Sequence, residues 1–390
     1  MKRYNKTIIV LVLISGVALV LPQFMYFKKL RIVANEIISA LFCLGDAFYI
    51  VMGLIFIVLV LVLLDKHWAY CAAELFCCAA FVLLLYYESQ SLESLPLEKT
   101  EFSRLSFGPG MWLWLASTAG VIIKASERVK LKWWLPLIIS ISALLIAALA
   151  VEGRLDGLAV MKEYYSQKSM YLENLITHIT ITLGVMAAAI IIGVPLGYLV
   201  QKSKAAEKIT FSIINITETI PGISFIALLM IPFALLSTKY PELRQFGIKQ
   251  FGAGPACVAL TFYAVFPIVH NTRAGFKLVD GNFVEVAKAM GMSGSTIFFK
   301  IMLPLAFPAI INGIRIAAVY TVTGTTLASM IGGGGLGYYM LQTDSMDTVL
   351  LGAIPVVIMA FSIDKGLRSA VRLLPFVGEK RSIEGAERGI

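Results

Sequence analysis

Residues 174–201 read NLITHITITLGVMAAAIIIGVPLGYLVQ and contain no Asp, Glu, Lys or Arg. A bilayer core about 30 Å thick needs about 20 apolar residues of helix to cross it, and this run is longer than that. Further charge-free runs occupy residues 7–27, 47–64, 105–123, 133–151, 219–238, 250–272 and 316–343, with shorter candidates at 68–87, interrupted by Glu74, and 348–363. In lipid only helices and closed barrels satisfy their own backbone, and runs this long and continuous are helical, unlike the ten-residue alternation of a barrel strand. The sequence therefore predicts an all-α, polytopic membrane protein of about ten transmembrane helices.

Composition agrees. The chain has 390 residues, 58% hydrophobic and 15% charged, against about 25% charged in an ordinary soluble domain. A net charge of +9 would suggest nucleic acid if the basic residues were clustered. They form short islands between uncharged runs, so no nucleic-acid partner is expected, and the remaining surroundings are membrane lipid. Cys43, Cys71, Cys77, Cys78 and Cys257 lack paired metal-ligand spacing and read as small apolar residues. No metal or cofactor is expected. The first run, preceded by Lys2, Arg3 and Lys6, is read as an uncleaved helix. It is long for a signal peptide, carries Pro22 and lacks a small-x-small cleavage site.

Counting ten segments from a cytoplasmic N-terminus places 21 of the 33 Lys and Arg in the cytoplasm and 11 opposite, with Arg315 inside a segment. That bias predicts both termini inside. Lys28, Lys29 and Arg31 fall on the wrong side and mark the weakest part of the map. The chain divides near residue 170. All five tryptophans (Trp68, Trp112, Trp114, Trp133, Trp134) precede that point, as expected of interfacial anchors, and no repeat relates the halves. The expected organisation is an N-terminal extension of about five helices over 1–170, a transmembrane domain over 171–365 and a cytoplasmic tail over 366–390.

The longest polar break of the second half, 273–300, leads into GNFVEVAKAMGMSGSTIFFKIMLP at 281–304. Asn282 and Glu285 have the spacing of a reciprocal helix cap, and Gly291 stands where a left-handed residue ends that helix. Ser293 or Ser295 can start a second short helix. The two helices form a cytoplasmic elbow tipped by Met290 and Met292, whose flexible thioethers suit a contact with a moving partner. An amphipathic connector lying on the headgroups fits the same residues.

Glu285, Ala287, Gly291, Ile301, Leu303 and Pro304 resemble the signature of ABC importer permeases: E-A-A, three residues, G, nine residues, I-x-L-P. Val286 replaces the first alanine. The segments THITITLGVMAAAIIIGVPLGYL (177–199), TETIPGISFIALL (217–229) and IRIAAVYTVTGTTLASMIGGGGLG (314–337) are similar to the osmoprotectant branch, which imports glycine betaine, choline, carnitine or proline betaine. The resemblance covers about residues 172–365. The N-terminal segments and GLAVMKEYY (157–165) are most like the larger, N-terminally extended permease of a low-affinity osmoprotectant importer. The resemblance implies a type I importer fold in the second half and a bacterial inner-membrane location. Its implied partners are a separate ATP-binding cassette subunit, a periplasmic substrate-binding protein and a second, identical or different, permease. The elbow, Met292 included, would be the coupling helix, with Glu285 and Gly291 fixing its shape.

Other marked positions carry plainer readings beside the functional one. Glu218 and Arg315 are charges within segments, costing about 2.5–3.5 kcal/mol near a helix centre. At 1.5 Å per residue they reach similar depths and can pair structurally, or Glu218 can face a cationic cargo. Relatives often carry Gln at Glu218. Gly193 and Gly197 form a GxxxG packing surface, and Pro221 with Gly222 marks a bend near the path. Tyr263, Phe266, Tyr320 and Phe225 can offer ring faces to a quaternary ammonium or simply pack. Gly332 to Gly335 lack the Lys-Ser/Thr of a P-loop and read as a tight turn. His178 and His270 are isolated, and neither a hydrolytic triad nor an ATP-binding motif is present. The chain is therefore expected to be a non-enzymatic permease. The competing readings are an ion-coupled secondary transporter using Glu218 and Arg315, and a first half serving as a membrane sensor or scaffold, removable without loss of uptake.

Overall fold

The computed structural model describes residues 6–29, 36–95, 103–341 and 345–372. Lys2, Arg3, Arg31 and the end of the tail lie outside the described residues. The chain forms two compact units, Met1–Gln167 and Lys168–Ile390.

In the first unit, α1 (Lys6–Val20) stops two residues before Pro22, because the residue preceding a proline is pushed out of helical geometry. The run 7–27 is therefore not one helix. Its end forms β1 (Met25–Lys28), antiparallel to β2 (Glu36–Ile38) and β3 (Arg104–Phe107) in the order β2-β1-β3. This three-stranded sheet departs from the purely helical expectation. Helices α2 (Ala40–Leu44), α3 (Ala47–Leu64) and α4 (His67–Ser94) lie between the strands in sequence. Helices α5 (Pro109–Ser126), α6 (Trp134–Val151) and α7 (Ala159–Ser166) follow. Pro109 starts α5 with a preset φ, so the run 105–123 is strand, then helix. Phe24, Phe27, Leu105 and Trp114 are fully buried where sheet and helices meet.

The second unit begins with α8 (Lys168–Lys202), α9 (Lys204–Thr219), α10 (Gly222–Lys239) and α11 (Ala253–Lys277). Then come α12 (Gly281–Ala289), α13 (Gly294–Ile297), a π turn (Phe298–Met302), α14 (Leu303–Gly324) and a 3₁₀ turn (Thr325–Ile331), with α15 (Gly337–Leu341) and α16 (Met346–Arg372) closing the chain. The π turn precedes Pro304, whose missing N–H leaves the Lys300 carbonyl without its usual helical donor. The expected span 316–343 is displaced, since the crossing stretch is Gly294–Ile331. Charge-free counting misplaced it because Arg315 lies inside this helix.

Among the described residues, eight helical stretches are long and apolar enough to cross a membrane: α3, α4, α6, α8, α10, α11, Gly294–Ile331 and α16. Helices α1 and α5 occupy the other two expected runs. Leu144, Ile191 and Leu235 are 68–71% exposed, and α6 buries only Ile138. Such apolar exteriors are at home in lipid, not in water.

Packing of the second unit centres on α11, and glycines set its spacing. A β-carbon at Gly193 would stand 2.8 Å from the Ile268 side chain, and one at Gly197 2.6 Å from Thr272 Cβ and 3.0 Å from the Val269 carbonyl. On the opposite flank, Gly275 meets the Ala306 carbonyl and Gly313 the Pro267 carbonyl. Gly197→Leu should therefore lower the melting temperature of the detergent-solubilised protein by forcing α8 off α11, at a cost of about 1–3 kcal/mol. Gly184→Ala, with open space around it, should leave melting unchanged. Equal melting of the two variants would exclude the close crossing.

Candidate functional site

Three constructions in the second unit concern function: the elbow, a cavity above α11, and a polar network. Helix α12 is capped by Asp280, whose Oδ1 accepts the Asn282 N–H at 3.0 Å. The expected Asn282–Glu285 box does not form, because Asp280 sits directly before the first turn and takes the capping role; Glu285 is exposed. At the other end Gly291 is left-handed at φ 77°. Its N–H bonds the Lys288 carbonyl at 2.9 Å while Met292 N–H reaches Ala287 at 3.1 Å, the paired closure of a Schellman motif. Ala287 is buried and Met292 half-buried, so Met292 is not at the tip. Phe283, Val286 and Met290, spaced along one helical face, are 57%, 60% and 76% exposed.

The elbow returns to the bundle through Ser293, whose Oγ accepts the Thr296 N–H and caps α13. Phe298 then enters a ring cluster, 4.8 Å from Tyr198 and 5.8 Å from Phe276, with Tyr198 and Phe276 4.9 Å apart. Leu303 packs beside it on Phe276, Ala306 and Ile310. Ile301 is half-buried, and Pro304 lies in the first turn of α14. These three rings were not singled out in the sequence, where about 100 residues separate Tyr198 from Phe298. Their shared position at helix ends was the available signal.

A cavity of about 620 Å³ opens among α9, α10, α11 and α14. Glu218, Tyr263, Phe266 and Tyr320 all line it, with Gly222, Thr323 and Thr326. Pro221 adjoins it through Gly222, and Arg315 does not line it. The Tyr263 hydroxyl donates to the Ile220 carbonyl at 2.6 Å, which satisfies the backbone where α9 breaks before Pro221. Phe225 stacks edge-on against Tyr263 at 5.8 Å. Thr323 and Thr326 escaped the sequence reading, since threonine in an apolar helix usually bonds its own preceding turn, as Thr326 does to Thr323.

Arg315 does not meet Glu218. Its guanidinium donates to Asp364 Oδ1 and to Asn312 Oδ1, both at 2.7 Å, while Asp364 also accepts from Arg368 at 2.8 Å. Asn312 donates to Asn271 at 3.0 Å, and Asn271 to the Pro267 carbonyl at 2.8 Å. The chain of bonds joins α11, α14 and α16. Asp364 falls one residue past the charge-free run at 348–363, so the pairing was sought in the wrong place. The ion-coupled alternative thereby loses its proposed pair. Buried His178 bonds the Val322 carbonyl through Nε2 at 3.0 Å and accepts from Leu336 N–H at Nδ1. Asn174 accepts from Gly335 N–H at 2.9 Å. These two side chains clasp the glycine turn, in which Gly332, Gly334 and Gly335 have positive φ. Among the described residues no group of three His, Cys, Asp or Glu is placed to hold a metal ion.

Residues 180–363 match the family model described as "Binding-protein-dependent transport system inner membrane component". Over 209 residues the chain is 36% identical to the choline transport system permease protein OpuBB of Bacillus subtilis (strain 168), covering 52% of this chain and 88% of that protein. The chain belongs to the binding-protein-dependent transport system inner membrane component family. It is similar also to the glycine betaine/carnitine/choline transport system permease protein OpuCB of the same organism, 36% identical over 192 residues, or 48% of this chain and 80% of that one. Residues 5–161 match a second model, "ABC transporter permease YehY, N-terminal domain". A solved structure of the MetNI methionine ABC transporter, inward facing, aligns at TM-score 0.47 and 21% identity over 54% of this chain and 98% of that one. The protein is a multi-pass membrane permease of the ABC importer kind. Family membership implies an ATP-hydrolysing subunit, a substrate-binding protein and a paired permease.

Tyr263→Phe should destabilise the solubilised protein by about 1 kcal/mol, the usual worth of a lost hydrogen bond, read as a lower melting temperature. Arg315→Gln should cost about 2 kcal/mol, because it removes the charge-assisted bonds to both Asp364 and Asn312. Arg368→Gln removes a guanidinium that is 55% exposed and should cost at most about 1 kcal/mol. Reversal of that order would remove the network from the account.

Proposed function

We propose that this permease forms the pore of an ATP-driven importer of osmoprotectants, small quaternary ammonium solutes such as choline, glycine betaine or carnitine. The observation that carries the reading is the convergence of one carboxylate, Glu218, and three aromatic rings, Tyr263, Phe266 and Tyr320, on a single cavity. A quaternary ammonium has no N–H to donate, so ring faces and an acid are the groups suited to it. Glu218 has no ion pair among the described residues. The names of the relatives, which specify choline, carnitine and glycine betaine, support the same class.

In this reading the exposed face of Phe283, Val286 and Met290 docks on the ATP-binding cassette subunit, with the Asp280 cap, buried Ala287 and left-handed Gly291 holding α12 in shape. Force passes through the Tyr198–Phe276–Phe298 cluster into α14. Both termini lie in the cytoplasm of a bacterium, the substrate-binding protein meets the opposite face of the inner membrane, and the second permease, identical or not, closes the path. Residues 1–170 form an extension attached to the transport domain at 171–365, and 366–390 form the tail.

The test is uptake of radiolabelled choline and glycine betaine into proteoliposomes, with and without the ATPase and binding protein. Transport should require all components; uptake by this chain alone would reject the reading. Glu218→Gln should depress choline uptake about ten-fold relative to glycine betaine, because choline carries net positive charge and betaine does not. Met290→Asp should abolish ATP-driven uptake while leaving melting unchanged, since that side chain is exposed and would cost about 2 kcal/mol or more only at a docking surface.

A further inference from the structure

The first unit holds a cavity of its own, about 570 Å³, at the end of the unit where α4 and α6 finish and α7 begins, within the usual volume range of small-molecule sites. Its walls come from three separate stretches of sequence, locked together by hydrogen bonds. Gly157 N–H donates to Ser89 Oγ at 3.0 Å, Gln90 Nε2 to the Arg154 carbonyl at 2.9 Å, and Lys162 Nζ to the Ser103 carbonyl at 2.5 Å. A β-carbon at Gly157 would stand 2.1 Å from the Ser89 carbonyl, so only glycine permits this closure. Behind Lys162, the buried Arg104–Glu163 ion pair ties β3 to α7.

The walls carry charges of both signs. Glu93, Glu152 and Asp156 bring carboxylates, and Arg154 and Lys162 bring cations, around one space. The ends of α4 and α6 add partial negative charge and the start of α7 adds partial positive charge. A simple cation would leave Arg154 and Lys162 unanswered, and a simple anion would leave the carboxylates so; a solute carrying both charges answers each. Burial and the Arg104 guanidinium hold the Lys162 ammonium below the usual lysine range, and a carboxylate brought beside it would favour its charged form. We propose that this cavity is a second solute site, distinct from the one beside Glu218, which binds a small zwitterion bearing an ammonium and a carboxylate.

Equilibrium binding of radiolabelled glycine betaine to the purified full-length permease in nanodiscs, without ATPase or binding protein, tests this apart from transport. Saturable binding is expected, weakened about ten-fold by Lys162→Met and by Asp156→Asn, the effect of one lost charge-assisted contact. Choline, which lacks the carboxylate, should show no binding that responds to Lys162→Met. Should Lys162→Met melt early, Asp156→Asn and Glu152→Gln, both at exposed positions, decide the matter. Absence of saturable betaine binding, or binding lost with Glu218→Gln yet intact in Asp156→Asn and Glu152→Gln, overturns the proposal. Because no transport is measured, failure of the importer reading leaves this outcome standing, and the converse also holds.

Discussion

Helix α11 can approach both α8 and α14 only because glycine stands at the crossings. Gly193 and Gly197 on one side and Gly275 and Gly313 on the other remove the side chains that would hold the backbones apart. Helices in lipid gain nothing from excluding water, so such close contacts are a principal source of their cohesion. The cavity, the ring cluster and the polar network all depend on this axis. Tyr263 and Phe266 reach the cavity from α11, Phe276 anchors the elbow from its lower end, and Asn271 joins the bonds that continue through Asn312 and Arg315 to Asp364.

The polar groups along this axis are placed where the helices break or cross. Tyr263 closes the carbonyl left by the α9–α10 break, and His178 with Asn174 holds the glycine turn. Each satisfies backbone that lipid cannot. The cavity is rimmed by the α9–α10 break, whose vacant carbonyl is answered from α11, and Glu218 lines the same space.

Much of this was legible in the residues. The charge-free runs marked the helices because a charge in hydrocarbon is costly wherever it falls. The E-A-A spacing located the elbow, and Gly291 its turn. What misled was the assumption that an apolar run is one helix. Pro22 and Pro109 divide two runs into helix and strand, and Arg315 concealed the true length of the stretch that begins at Gly294. Glu218, Tyr263, Phe266 and Tyr320 were found by residue type, and they share one cavity. The partner of Arg315 was missed, because pairing between helices depends on tertiary crossing, which the depth of a residue in its own helix does not specify.

The π turn at Phe298–Met302 has a geometric corollary. It accommodates one residue more than an α turn, and each α-helical residue advances the chain by about 100° of rotation. The azimuth at which Phe283, Val286 and Met290 face outward is therefore set beneath the elbow, by one wide turn between Ile297 and Leu303. Converting that turn to regular α geometry would swing the apolar face more than a quarter of a revolution about the axis of α14, leaving the hydrogen bonds within α12 intact.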